Sequence, residues 1–308
     1  MSDATGAPDA TDATDAARGA VYDRGYRPYD GPRGRRGAAA FALYKASMRR
    51  ALGLRRTWRQ KVAPFVLLGV VTIPAVVNVG IGYVLRDRFE PFEIVTYREY
   101  VGVSAALLLF VALVAPDVIC PDRRQKVLPL MFARPLLGTD YVVAKVGAIA
   151  TILFAFSFLP QVVLFVGNML VSDAALDYFT GHLSVLWQVP LAVLVLSLYY
   201  ATIGCALASL TERRIVAGAS VIGLFLLTSI SSGVIVGDSE IDGGSYGALL
   251  NVLAMPLHLR DVIFLGHVEA GSPLGGVAGG GWLALACYLV VLTSGAAVLW
   301  WRYRWVER

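Results

Sequence analysis

Two groups of side chains in this sequence have the chemistry to bind or react. The first is uncharged and dispersed: Asn78, Gln161, Asn168, His182 and Gln188, with the phenols Tyr83, Tyr199, Tyr200 and Tyr288. Amides and phenols inside apolar runs tie helices together by hydrogen bonds, or line a cleft. A cleft built from Asn78, Tyr83, Gln161, Tyr199 and Tyr200 would favour an amphipathic molecule. The second group is charged and compact. Within Asp117–Lys145 stand Asp122, Arg123, Arg124 and Lys126, followed by Val127, Leu128, Leu130, Met131 and Phe132, with Arg134 before Pro135. Charges at one end and large apolar side chains along one face suit a short amphipathic helix that docks in a partner's groove. An ordinary solvated basic loop has the same composition. Thr139 or Asp140 is placed to cap the helix that follows.

Neither group forms a familiar catalytic pattern. H-E-x-x-H and G-x-x-x-x-G-K-[ST] do not occur, so the chain lacks the usual means of holding a catalytic zinc or the phosphates of ATP. The glycine run Gly275–Gly281 contains no Lys and reads as a flexible linker. Cys120, Cys205 and Cys287 share no ligand spacing and read as small buried hydrophobes. No cofactor or metal is expected on this chain, and it is not expected to be an enzyme.

The elements that carry these residues follow from the distribution of charge. The 308 residues are 57% hydrophobic and only 16% charged, with a mean hydropathy of +0.64. Soluble domains run at about 45–50% apolar and about 25% charged. Six runs contain no Asp, Glu, Lys or Arg: Val62–Leu85, Tyr100–Pro116, Val146–Ser172, Tyr178–Thr211, Ile215–Gly237 and Gly271–Trp301. A bilayer-spanning helix needs about 17–25 mainly apolar residues, and all six runs qualify. The expected fold is an all-α polytopic membrane protein with six transmembrane helices. A soluble enzyme, a DNA-binding module and a disulfide scaffold are excluded, and no nucleic-acid partner is expected.

Basic residues orient the spans, because they collect on the cytosolic side. With the N-terminus inside, every one of the 27 Lys and Arg residues falls inside except Arg86, Arg88, Arg98 and Arg260. Both termini are therefore expected in the cytosol of a plasma-membrane protein. Leu249–His267 is apolar, but as a span it would bring Arg260 and Asp261 to mid-membrane at about +2.5 to +3.5 kcal/mol each. It reads instead as short helices broken at Pro256, packed at the outer surface between spans five and six. His182 falls near an outer boundary and reads as interfacial. No ionisable Asp, Glu, Lys or Arg lies in a span to couple ion movement to transport, which weighs against an ion-driven carrier.

Three regions are expected. Residues 1–38, rich in Asp, Ala and Gly, cannot bury enough apolar surface to fold and read as a disordered cytosolic tail. Residues 39–62 hold Leu43, Ala46, Ala51, Leu54 and Trp58 at roughly helical spacing among many Lys and Arg, the pattern of an amphipathic helix on anionic headgroups. Residues 63–308 form the membrane domain.

The loop also resembles a known family. Asp122, Arg123, Leu128, Pro129, Leu130, Ala133, Arg134, Pro135, Tyr141 and Lys145 match, position by position, a motif of the membrane subunits of type-two ABC exporters. Tyr26–Gly34 resembles the N-terminal lead of actinobacterial members. The resemblance implies an elbow helix before span one, and a coupling helix between spans two and three seated on a separate ATPase. It also implies a re-entrant helical element outside, between spans five and six. Asp122, Arg123, Arg124, Lys126, Leu128, Leu130 and Arg134 would contact the ATPase, with Arg213 and Arg214 as a second contact. Two permease copies, or this chain and a sister permease, would enclose the cargo, and ATP with Mg would reside on the partner ATPase. A carrier needing no ATPase, or a membrane anchor without transport, remain the competing readings.

Overall fold

The computed structural model describes residues 35–54, 58–85, 96–101, 104–132, 136–172, 174–237 and 244–304. Among these residues the chain is all-helical and contains no strand. In order they form α1 (Arg36–Ala51), α2 (Trp58–Leu85), the single turn α3 (Tyr97–Tyr100), α4 (Ser104–Arg124) and α5 (Leu128–Phe132). There follow α6 (Gly138–Val171), α7 (Ala175–Gly181), α8 (Val185–Leu210), α9 (Arg214–Gly237), a 3-10 stretch Gly244–Leu250, α10 (Met255–Leu265), a 3-10 turn Pro273–Gly276 and α11 (Gly280–Arg304).

Five helices are long and apolar enough to cross a bilayer: α2, within which Phe65–Val84 is the apolar part, α6, α8, α9 and α11. They give the chain the character of a membrane-spanning protein. The run Tyr100–Pro116 is divided, since α3 ends at Tyr100 and α4 begins at Ser104. The last turns of α4 also carry Asp117, Asp122, Arg123 and Arg124, which sets it apart from the other five.

The core forms around α8, which packs on α4, α6, α9, α10 and α11. In its most apolar stretch 72% of residues are buried, against 6% in α2. Tyr199, Tyr200, Leu196 and Cys205 are fully buried on it. Small residues let backbones approach where packing drives helix association. A Cβ at Gly204 would overlap Val111, and one at Gly218 would lie 2.8 Å from the Ala112 carbonyl oxygen of α4.

The basic N-terminal helix is shorter than the sequence suggests. It stops at Ala51, where Gly53 takes a left-handed φ of 66°. The Gly53 N–H bonds Arg50 O and the Leu54 N–H bonds Arg49 O, which closes the helix with the usual glycine cap. Trp58–Lys61, expected in that same helix, instead opens α2. The tail expected over residues 1–38 lies outside the described residues up to Gly34.

The 3-10 stretch Gly244–Leu250 and α10 form a bent pair of short helices, turning through 105°. Ser229 Oγ, two turns inside the end of α9, bonds Asn251 Oδ1 at 2.9 Å. Tyr199 and Tyr200 hydroxyls donate to Val252 O at 3.0 Å and Leu253 O at 2.7 Å. Gln188 then contacts Ile263 O at 3.3 Å at the far end of α10. From residue 188 to residue 199 of α8 is about 16 Å at 1.5 Å per residue. The bent pair therefore packs along about 16 Å of α8. The expected break at Pro256 falls just before it, over Asn251–Ala254, because Pro occupies the first turn of α10, where its missing N–H costs nothing.

Candidate functional site

At one end of the bundle, which carries most of the basic residues, α1, α4, α6 and α11 converge on Asp122. Its side chain is fully buried. One carboxylate oxygen accepts from Arg50 Nη1 of α1 at 2.5 Å. The other lies 2.6 Å from Lys145 Nζ and accepts from the Tyr141 hydroxyl at 3.1 Å. Lys145 also donates to Val118 O at 3.0 Å and stands 5.3 Å from the centre of the Tyr141 ring. The Tyr303 ring of α11 packs on Tyr141, with centroids 4.8 Å apart. Two cations and a phenol on one buried carboxylate satisfy both oxygens, the condition under which a buried charge is tolerated.

The neighbouring residues divide into those held inside and those presented outward. Arg123 donates to Ser209 O and lies 3.8 Å from Glu212, while Arg214 pairs with Asp117. These bonds clip the end of α4 to the α8–α9 loop. Leu128 is buried in this chain's own core, and Leu130 falls in α5. Arg124, Lys126 and Arg213 are exposed. Arg134, with Ala133 and Pro135, lies outside the described residues. Lys126 has a φ of 51°, with Val127 N–H on Asp122 O and Lys126 N–H on Arg123 O. This is the glycine-type helix cap with a lysine in the left-handed position, a conformation costing an L-residue about 1–2 kcal/mol.

Asp140 meets the expectation of a capping residue. It sits at the third position of α6, where it accepts from Leu137 N at 3.1 Å and holds Arg36 of α1 through two bonds of 2.6 and 2.9 Å. Tyr44 bonds Thr151 at 2.9 Å, so α1 lies along α6.

The residues read as a possible cleft are not brought together. Tyr199 and Tyr200 are spent on the bend before α10, and Tyr199 stacks on Tyr288 at 5.1 Å. Gln161 donates to Tyr97 O at 3.1 Å beside a 2.6 Å bond between the Tyr97 and Tyr178 hydroxyls. Asn78 is buried in α2, and Tyr83 is exposed near its end. His182 stacks on Tyr178 at 4.1 Å. Cys120 and Cys205 are buried, and among the described residues no group of His, Cys, Asp or Glu has a metal-holding arrangement.

Two further features stand apart from these groups. At the opposite end of the bundle, Arg98 bonds Glu269 at 2.9 Å and lies 3.6 Å from Asp261, which Arg260 holds at 2.7 Å. Arg260 also donates to Val101 O at 3.0 Å. This clamp fixes α3 to α10 and explains how the paired Arg260 and Asp261 are accommodated. Its only sequence signal is that adjacent pair inside an apolar segment. The second feature is Gly243–Gly247, whose letters fit G-x-S-x-G. A nucleophile elbow needs a strand-to-helix turn, whereas Ser245 lies in the 3-10 stretch between α9 and α10.

No known family model matches this chain, and no curated protein matches it.

Proposed function

We propose that this chain is the membrane-spanning permease subunit of an ATP-binding cassette exporter, with ATP hydrolysis on a separate partner subunit. The observation that carries the reading is the clip between two loops. The resemblance assigns the α4–α6 loop and the α8–α9 loop, independently, to ATPase contact. Arg123 on Ser209 and Glu212, with Arg214 on Asp117, holds those loops side by side. Arg124, Lys126 and Arg213, all exposed, are the basic side chains these loops offer to an acidic partner surface. Asp122 and Leu128 act from within, by fixing the α4–α6 loop to the bundle.

In this reading α4 is the second of six spans, both termini are cytosolic, and α1 is the elbow helix. The re-entrant pair faces outside, and two permease subunits are needed to enclose a path. The test is co-purification from detergent with the ATPase subunit. Arg124→Glu with Lys126→Glu should abolish capture, while Arg86→Glu with Arg88→Glu, outside by the charge distribution, should not. Capture unaffected by the first pair would refute the reading.

A further inference from the structure

Between α8, α10 and the start of α11 lies a half-open cavity of about 600 Å³. Sites for small molecules measure about 300–1,000 Å³ and are mainly apolar. The walls come from Leu191 and Val195 of α8, Leu259 and Val262 of α10, Leu274 of the second 3-10 turn and Leu285 of α11. Glycines complete them, and a Cβ on Gly281 would already press within 3.3 Å of Val262. No Asp, Glu, Lys or Arg lines the space.

We propose that this cavity holds one acyl chain of a phospholipid from the adjacent leaflet. Leu191 and Val195 lie about 9–15 Å along α8 from its end at Val185, a depth within an apolar layer about 30 Å thick. Trp282, in the first turn of α11, lines the cavity and is 78% exposed. Tryptophan favours the headgroup boundary, so the rim meets the bilayer where chains begin. Apolar cavities stay dry and take apolar guests, and in a bilayer the acyl chain is the guest always present. Glu269, next in sequence to the lining residues Val268 and Ala270, is paired with Arg98. That leaves the tail, not the headgroup, as the feature recognised. The inference needs only that the chain spans a membrane and is independent of any ATPase.

The test uses the full chain in nanodiscs doped with a phosphatidylcholine that carries a diazirine at the end of one acyl chain. After irradiation, labelled residues are mapped by mass spectrometry. Labels are expected on Leu259 and Val262, which line the cavity, and on Ile230, an outward-facing marker for bulk lipid. Val195→Trp and Val277→Phe should each lose the labels at Leu259 and Val262 and keep the one at Ile230. Should Val195→Trp fail to fold, the loop substitution Val277→Phe decides alone. A phosphatidylglycerol probe should label equally. The proposal is overturned if Leu259 and Val262 stay unlabelled, or if their labels persist in Val277→Phe. It is also overturned if a diazirine fatty acid labels them and the phospholipids do not.

Discussion

The ammonium of Lys145 lies 2.6 Å from the Asp122 carboxylate, and neither side chain is more than 3% exposed. Removing one partner of such a pair leaves an uncompensated buried charge, at a cost of about 3–5 kcal/mol. Asp122→Asn is therefore expected to destabilise by that amount. Lys145→Met in the same chain should recover most of the loss, because Arg50 is one-third exposed and can turn to water. Thermal unfolding in detergent reads both variants, and an equal loss in the single and double variants would refute the pairing.

Lys126→Gly separates stability from association. Glycine takes a positive φ without the clash that a Cβ brings, so stability should rise by about 1 kcal/mol. The exposed charge disappears at the same time, so on the permease proposal binding of an ATPase subunit should weaken. A variant that is less stable than the parent would rule out the cap geometry.

Tyr200→Phe leaves the Leu253 carbonyl without its 2.7 Å donor. A lost buried hydrogen bond costs about 1–3 kcal/mol. Tyr199→Phe keeps the stack on Tyr288 and should cost less. Loosening of the bend is measurable as faster amide exchange at Asn251–Ala254, and unchanged exchange would argue against anchoring from α8.

Gly218→Leu should drive α9 from α4, because the obstacle is the Ala112 backbone and cannot turn aside. Overpacking costs about 1–3 kcal/mol. A Gly204→Ala variant meets the Val111 side chain instead, so Val111→Ala should rescue it. Unfolding temperatures of the single and paired variants check both.

The clamp at the opposite end depends on pH in one direction. The hydrogen bond from Arg98 holds the Glu269 carboxyl below its ordinary 4.5. A lowered carboxyl contributes stability above its unfolded value, and the contribution is lost as the pH falls through the folded one. Glu269 holds Arg98 above its ordinary value in turn, so the guanidinium stays charged throughout. The clamp should be intact at neutral pH and release only in acid below 4.5. A nitroxide on Val268→Cys should gain mobility over that range, and Glu269→Gln should remove the pH dependence.

The helices were legible because charge-free runs are a local property. Five of the six runs appear as long apolar helices, and the sixth is interrupted after Tyr100. The cap at Asp140 was legible for the same reason, whereas the stop at Gly53 was not, since the helical spacing of apolar residues continues past it to Trp58. Asp122 was not. Beside Arg123 and Arg124 it reads as part of a solvated basic cluster, whereas its partners Arg50 and Lys145 come from other helices. Leu128 likewise looks available for docking until the fold supplies its neighbours. Pro256 signals a break, but the depth of the bend rests on hydroxyls half a helix away.

The order of synthesis gives the two cations on Asp122 different duties. Chains emerge at about 5–20 residues per second, so Lys145 follows Asp122 by about one to five seconds at that rate. Through that interval Arg50, already made, is the cation at hand for the carboxylate that it meets in the finished protein. Lys145 joins later, and its burial beside Asp122 makes it the more enclosed of the two. Arg50→Ala should reduce the yield of inserted protein far more than it lowers the melting temperature of the molecules that do insert.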